Sequence, residues 1–133
     1  MSEISRRELL AGSAALAALP CLSTVAEADD VPAADMPEGG IILVAQLTAK
    51  QGEEAAVREA LSAMVEPTRK EEGCLCYNLH VSTKNPADFM FYEQWASQEA
   101  LAAHGKTDHM KAMREGTRGR IEKGGATRFE LVD

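Results

Sequence analysis

Residues Phe89 to Met113 read FMFYEQWASQEALAAHGKTDHMKAM. The first part alternates, with Phe89, Phe91, Glu93 and Trp95 set against Met90, Tyr92 and Gln94. That is the period-two pattern of a strand. The alternation stops at Ala96. Ser97 is a favoured N-cap residue, and it opens a short helix through about His104. Leu101 and His104 are three apart and share a face of it. Gly105 breaks this helix. Thr107 caps a second one, with His109 in its first turn and Met110 and Met113 beneath.

Upstream, Lys84-Asn85-Pro86 is a turn, and Ala87 to Ala96 is the strand that follows it. Cys74 to Ser82 is the strand before it, so the two form an antiparallel hairpin. Strict alternation puts Leu75, Tyr77, Leu79 and Val81 on one face, and Cys74, Cys76, Asn78 and His80 on the other. Gly73 is the natural stop of a long helix over Glu53 to Glu72. Val57, Leu61, Met64, Val65 and Thr68 form its apolar stripe, and Pro67 predicts a kink or local break. Ile41 to Ala49 is a buried strand. Downstream, Gly116, Gly119 and Gly124-Gly125 blur the end of the last helix, and Ala126 to Val132 is the expected fourth strand. The order is βαββαβ, an α+β plan with helices on one face of an antiparallel sheet. Its second sheet face is left uncovered, which predicts a homodimer.

The N-terminal residues 1–28 do not fit this domain. Arg6-Arg7 precedes an apolar, small-residue run from Leu9 to Val25, and Ala26-Glu27-Ala28 offers a small-x-small cleavage pattern. This reads as a twin-arginine signal peptide, with export to the periplasm or beyond. Gly12, Ser13, Pro20 and Ser23 make the run too weakly apolar for a spanning helix. Residues 29–40, DDVPAADMPEGG, read as a flexible arm, and 41–133 as the domain. The chain carries 14 Lys and Arg against 21 Asp and Glu, a net charge of −7. That balance argues against nucleic acid or an anionic membrane as partner. Cys74 and Cys76 are two apart on a strand, at the long edge of disulfide geometry, and are expected as reduced, half-buried thiols.

Four pieces in order carry a resemblance. They are Glu72-Gly73-Cys74-Leu75-x-Tyr77, Phe89-x-x-Tyr92-Glu93-x-Trp95-x-Ser97, Ala100-Leu101-x-x-His104 and Thr107-x-His109-Met110-Lys111-Ala112. From Ile41 to Val132 the chain resembles the antibiotic biosynthesis monooxygenase domain, and within it the small quinol monooxygenases. The resemblance implies a ferredoxin-like homodimer of the dimeric α/β-barrel type. It implies oxidation of an aromatic hydroquinone by O2 with neither metal nor flavin. Asp108 departs from the family, where proline is common at that point. The haem-degrading branch would want an asparagine on the first strand, a tryptophan at position 104 and a histidine near Arg114. None is present. Another relative isomerises a phosphorylated, sugar-like signal, so isomerisation of a small carbonyl compound remains an alternative, as does a non-catalytic module that binds a small aromatic.

Triplet O2 reacts with a closed-shell aromatic only slowly, whereas a deprotonated hydroquinone can donate an electron to it. Such a site needs a base, a place for the anion and a dry aromatic slot. His104 is the best base, because an imidazole titrates near ~6.5. His109 and Glu93 complete the candidate catalytic set. Trp95 and Tyr77 would wall the slot, with Asn78 and Leu101 as further substrate contacts. Asn78 and His80 lie opposite Tyr77 and belong either to the pocket or to the dimer interface. The expected void is closed, mostly apolar and in touch with Trp95 and His104. No metal constellation is legible: His80, His104 and His109 are dispersed, and a spacing of five suits no single helical face.

Overall fold

The computed structural model describes residues 36–132; the expected signal peptide and most of the expected arm lie outside them. Strand β1 spans Ile41–Ala49, helix α1 Glu54–Ser62, helix α2 Val65–Arg69, strand β2 Cys74–Val81 and strand β3 Asp88–Trp95. Helix α3 spans Gln98–His104, helix α4 Asp108–Thr117 and strand β4 Ile121–Phe129. The strands form one antiparallel sheet in the order β2-β3-β1-β4. This is the ferredoxin-like α+β arrangement expected.

Register explains where the core sits. Ile41 faces Trp95, Ala45 faces Phe91 and Leu47 faces Phe89 across β1 and β3. Tyr77 faces Glu93 and Leu79 faces Phe91 across β2 and β3. Directly opposed residues share a face, so this face gathers Phe89, Phe91, Trp95 and Tyr77. All four are buried with Val57, Leu61 and Met64 from the helix side.

Three expectations are corrected here. The helix over Glu53 to Glu72 is two helices. The break falls at Ala63 and Met64, just before Pro67 rather than at it. Proline lacks the N–H that would reach the carbonyl four residues back, and its ring crowds that carbonyl. Residue 63 is where the ladder fails. Strand β4 begins at Ile121, five residues early, because Gly124 and Gly125 pair with Leu47 and Gln46 instead of forming a loop. The glycine next to Gln46's carbonyl is tight: a Cβ at Gly124 would stand 3.3 Å from that oxygen.

The third correction concerns β2. The register slips between Cys74 and Cys76, so Leu75 is the extra residue of a bulge. Cys74 therefore opposes Trp95 and packs on the Tyr77 face, not the face of Asn78. Its thiol is free and is pushed up to about 11, first by burial and then by the charges of Glu71 and Glu93. The expectation of a reduced, half-buried thiol holds for Cys74.

Arg69, at the end of α2, closes over this edge strand. Its Nε donates to the carbonyl of Tyr77 at 3.0 Å, and its Nη2 donates to Asn78 Oδ1 at 2.8 Å.

Candidate functional site

The site is assembled at the junction of three chain breaks. The first follows α2. The N–H of Glu71 donates to the carbonyl of Thr68, and the N–H of Cys74 donates to the carbonyl of Glu71. Gly73 completes the turn at φ +81°, a conformation glycine adopts without strain. A Cβ there would stand 2.5 Å from the Cβ of Ala100, so the turn is pressed against α3. Glu71 is thereby set beneath the helix pair.

The second break is between β3 and α3. Ser97 caps α3 as expected, its Oγ accepting from the N–H of Ala100 at 3.1 Å. The third is between α3 and α4. The Thr107 hydroxyl donates to the carbonyl of His104 at 2.8 Å and accepts from the N–H of Met110 at 3.3 Å. One side chain thus caps α4 and ties it to the end of α3.

This puts the two expected histidines together. Their ring centroids are 6.0 Å apart. As expected from the Gly105 break, the two rings belong to different helices, so their spacing of five does not keep them apart. Between them stands a residue the sequence reading missed. Glu71 Oε1 lies 2.8 Å from His104 Nδ1 and 2.5 Å from His109 Nε2. A single carboxylate oxygen so placed accepts from both rings when each carries its proton on the facing nitrogen. The signal available was the acidic pair Glu71-Glu72 ahead of the Gly73 turn. Nothing in spacing alone says which of the two faces inward.

His104 is 4% exposed and lies against Trp95, with centroids 4.7 Å apart, and edge-on to Tyr77 at 5.5 Å. Tyr77 in turn stacks on Phe91 at 4.7 Å. Trp95 and Tyr77 therefore both pack against the His104 ring. Glu93 is buried beside them, its Oε2 accepting from the Trp95 indole N–H at 2.8 Å. Burial pushes the Glu93 carboxyl up to about 7. The indole hydrogen bond opposes that shift, and the charge of Glu71 adds to it. Burial also pushes the Tyr77 phenol well above its ordinary range, and the charge of Glu93 acts the same way. Leu101 packs against the core. Asn78 lies on the far side of the sheet, held by Arg69, and is not brought to this cluster.

Three hollows of the described surface are lined by neither Trp95 nor His104. The cluster opens instead at His109. A groove of about 480 Å³ between α1 and α4 is lined there by Met64, His109, Met113, Gly116 and Arg120, among others. His80 lines two hollows at the other end of the sheet. No helix of the described residues is long and apolar enough to cross a membrane.

In family and fold the chain is similar to known proteins. The family model described as "Antibiotic biosynthesis monooxygenase" matches residues 40–116. A Mycobacterium tuberculosis protein named "Putative monooxygenase Rv0793" is 30% identical over 69 residues, covering 52% of this chain and 67% of that protein. Its solved structure superposes with a TM-score of 0.65 at 25% identity, over 71% of this chain and 96% of that one. The Pseudomonas aeruginosa protein PA3566 superposes with a TM-score of 0.69 at 29% identity, over 71% of this chain and 96% of the other. The Synechocystis protein sll1783 is 28% identical over 82 residues, and the match covers 62% of this chain but about half, 54%, of that protein.

Proposed function

We propose, from the premise that this chain belongs to the antibiotic biosynthesis monooxygenase family, that it is an exported monooxygenase of a quinol or a related small aromatic. It uses O2 and no metal or flavin. The observation that carries the reading is the 2.8 Å contact between His104 Nδ1 and Glu71 Oε1. A proton on Nδ1 donated to the carboxylate leaves Nε2 with its lone pair, the tautomer a general base needs. The ring is also nearly dry, pressed between Trp95 and Tyr77.

In this mechanism His104 takes the hydroxyl proton of the bound aromatic, with Glu71 stabilising the imidazolium. The aromatic anion passes one electron to O2, and the radical pair recombines at carbon. Loss of water then leaves the quinone. One oxygen atom enters the product and the other leaves as water, with all electrons supplied by the substrate. The groove beside His109 is the way in, and its volume lies within the usual range for a small ligand.

Export follows from residues 1–28, and assembly as a homodimer from the uncovered sheet face. Phe129 there is 51% exposed. Replacing Arg6 and Arg7 by lysine should keep the precursor, with residue 1 intact, inside the cell. Sedimentation of the processed chain reads its mass.

The test of function is oxygen uptake with a panel of reduced quinones. Turnover that disappears in His104→Ala while binding persists supports the reading. Binding without oxygen uptake in the native chain would make it an aromatic-binding module instead. Unchanged binding and turnover in His104→Ala would remove His104 from the mechanism.

A further inference from the structure

Glu71, His104 and His109 do more than hydrogen-bond. One ligand atom from each, Oε1, Nδ1 and Nε2, lies within 4.8 Å of the other two. Two imidazoles and one carboxylate form a donor set that suits first-row transition cations rather than calcium or magnesium, which want oxygen ligands. Three protein ligands also leave coordination positions open, unlike a closed structural site.

We infer that this triad is a binding site for a divalent transition-metal cation. Metal-ligand bonds of ~2.0–2.2 Å place neighbouring ligand atoms about 3.3 Å apart in tetrahedral geometry. The two contacts to Glu71 Oε1, at 2.8 and 2.5 Å, need to open by less than about 1 Å to reach that value. Each ring shifts its proton to its other nitrogen, so both bind as neutral imidazoles and the carboxylate supplies the negative charge.

The surroundings meet the remaining requirements of such a site. The ligands come from three separate segments fixed by the Gly73 turn and the Thr107 bridge. Glu71 and His104 are mostly shielded, with side chains 13% and 5% exposed, while His109 at 22% faces the α1/α4 groove. A cation has a route in through that groove, which His109 lines. Occupancy takes the Nδ1 of His104 and puts the proton on Nε2. The cation and the proposed base chemistry therefore exclude one another on a single ring.

The probe is Co²⁺, added to chelator-treated protein and followed by calorimetry and visible absorption. The expected result is one Co²⁺ per chain with a d–d spectrum of low coordination number, displaced by Zn²⁺. Affinity should fall at least about tenfold in His109→Ala and in Glu71→Gln. It should stay unchanged in His80→Ala, whose ring sits on the opposite sheet face. Circular dichroism shows which variants are folded, and His109→Gln reads the same ligand with less loss of volume. Absence of a saturable Co²⁺ signal, or one that survives both the His109 and Glu71 replacements, would overturn the site. Turnover is not the readout, so the cation site and the proposed oxidation stand or fall separately.

Discussion

His104 Nδ1 and Glu71 Oε1 lie 2.8 Å apart across 33 positions of sequence, and the same oxygen meets His109 on its other side. A neutral amide at position 71 can still accept a hydrogen bond, but it cannot balance an imidazolium. Glu71→Gln is therefore expected to lower kcat for the proposed quinol oxidation on the order of 10²-fold, with KM changed much less. Oxygen-electrode kinetics on the folded variant check this. An unchanged kcat would detach Glu71 from catalysis.

The buried Glu93 carboxyl makes stability depend on pH. Its folded pKa of about 7 lies above the ordinary value of 4.5 for a glutamate, so between these limits the folded chain binds more proton than the unfolded one. Stability then falls as pH rises through that window, by on the order of 3 kcal/mol, and the contribution is gone above about pH 7. Urea titrations at pH 5 and pH 8 should show this slope, and Glu93→Gln should flatten it. Gln can still accept the Trp95 N–H, so the variant should equal or exceed the native chain at pH 8. A native slope retained in the variant would assign it to another group.

Trp95 is fully buried and supplies the N–H that holds Glu93. Trp95→Phe keeps most of the ring volume but leaves the carboxyl without its donor. The expected cost is about 1–3 kcal/mol, or roughly 5–15 °C in Tm for a domain of this size. The stability window of Glu93 should also move to higher pH, because the indole is the contact that holds its pKa down. Thermal melts across pH read both effects.

Gly73→Ala should be disproportionately costly for one methyl group. The backbone there has φ +81°, and the new Cβ would lie 2.5 Å from Ala100. The substitution should cost more than about 1 kcal/mol and shift Glu71 away from the two rings. Activity should fall along with stability. Ala100→Gly in the same chain relieves the clash but not the backbone strain, so it should restore only part of both.

The fold was legible because alternation in 88–95, the apolar run in 41–49 and the caps at Ser97 and Thr107 are local signals. What was misread depends on the partner strand or on a register. Bulging at Leu75 is a property of the β2–β3 pair, so strict alternation put Cys74 on the wrong face. The glycines of β4 look like a loop until β1 pairs with them. In the site, His104, Trp95 and Tyr77 were found by type and order, and they do meet. Glu71 was hidden because its role comes from a turn that carries it under two helices far along the chain. Whether a slot is hollow is decided by side chains from several elements at once, which no local pattern records.

The grip of Arg69 on β2 bears on how the molecule avoids unwanted neighbours. β2 lies at the margin of the sheet, where main-chain acceptors are a template for adding a foreign strand. The guanidinium claims the Tyr77 carbonyl and anchors itself on Asn78, placing a cation where an approaching strand would need an amide. Ribbon-like polymerisation through that margin is thereby discouraged.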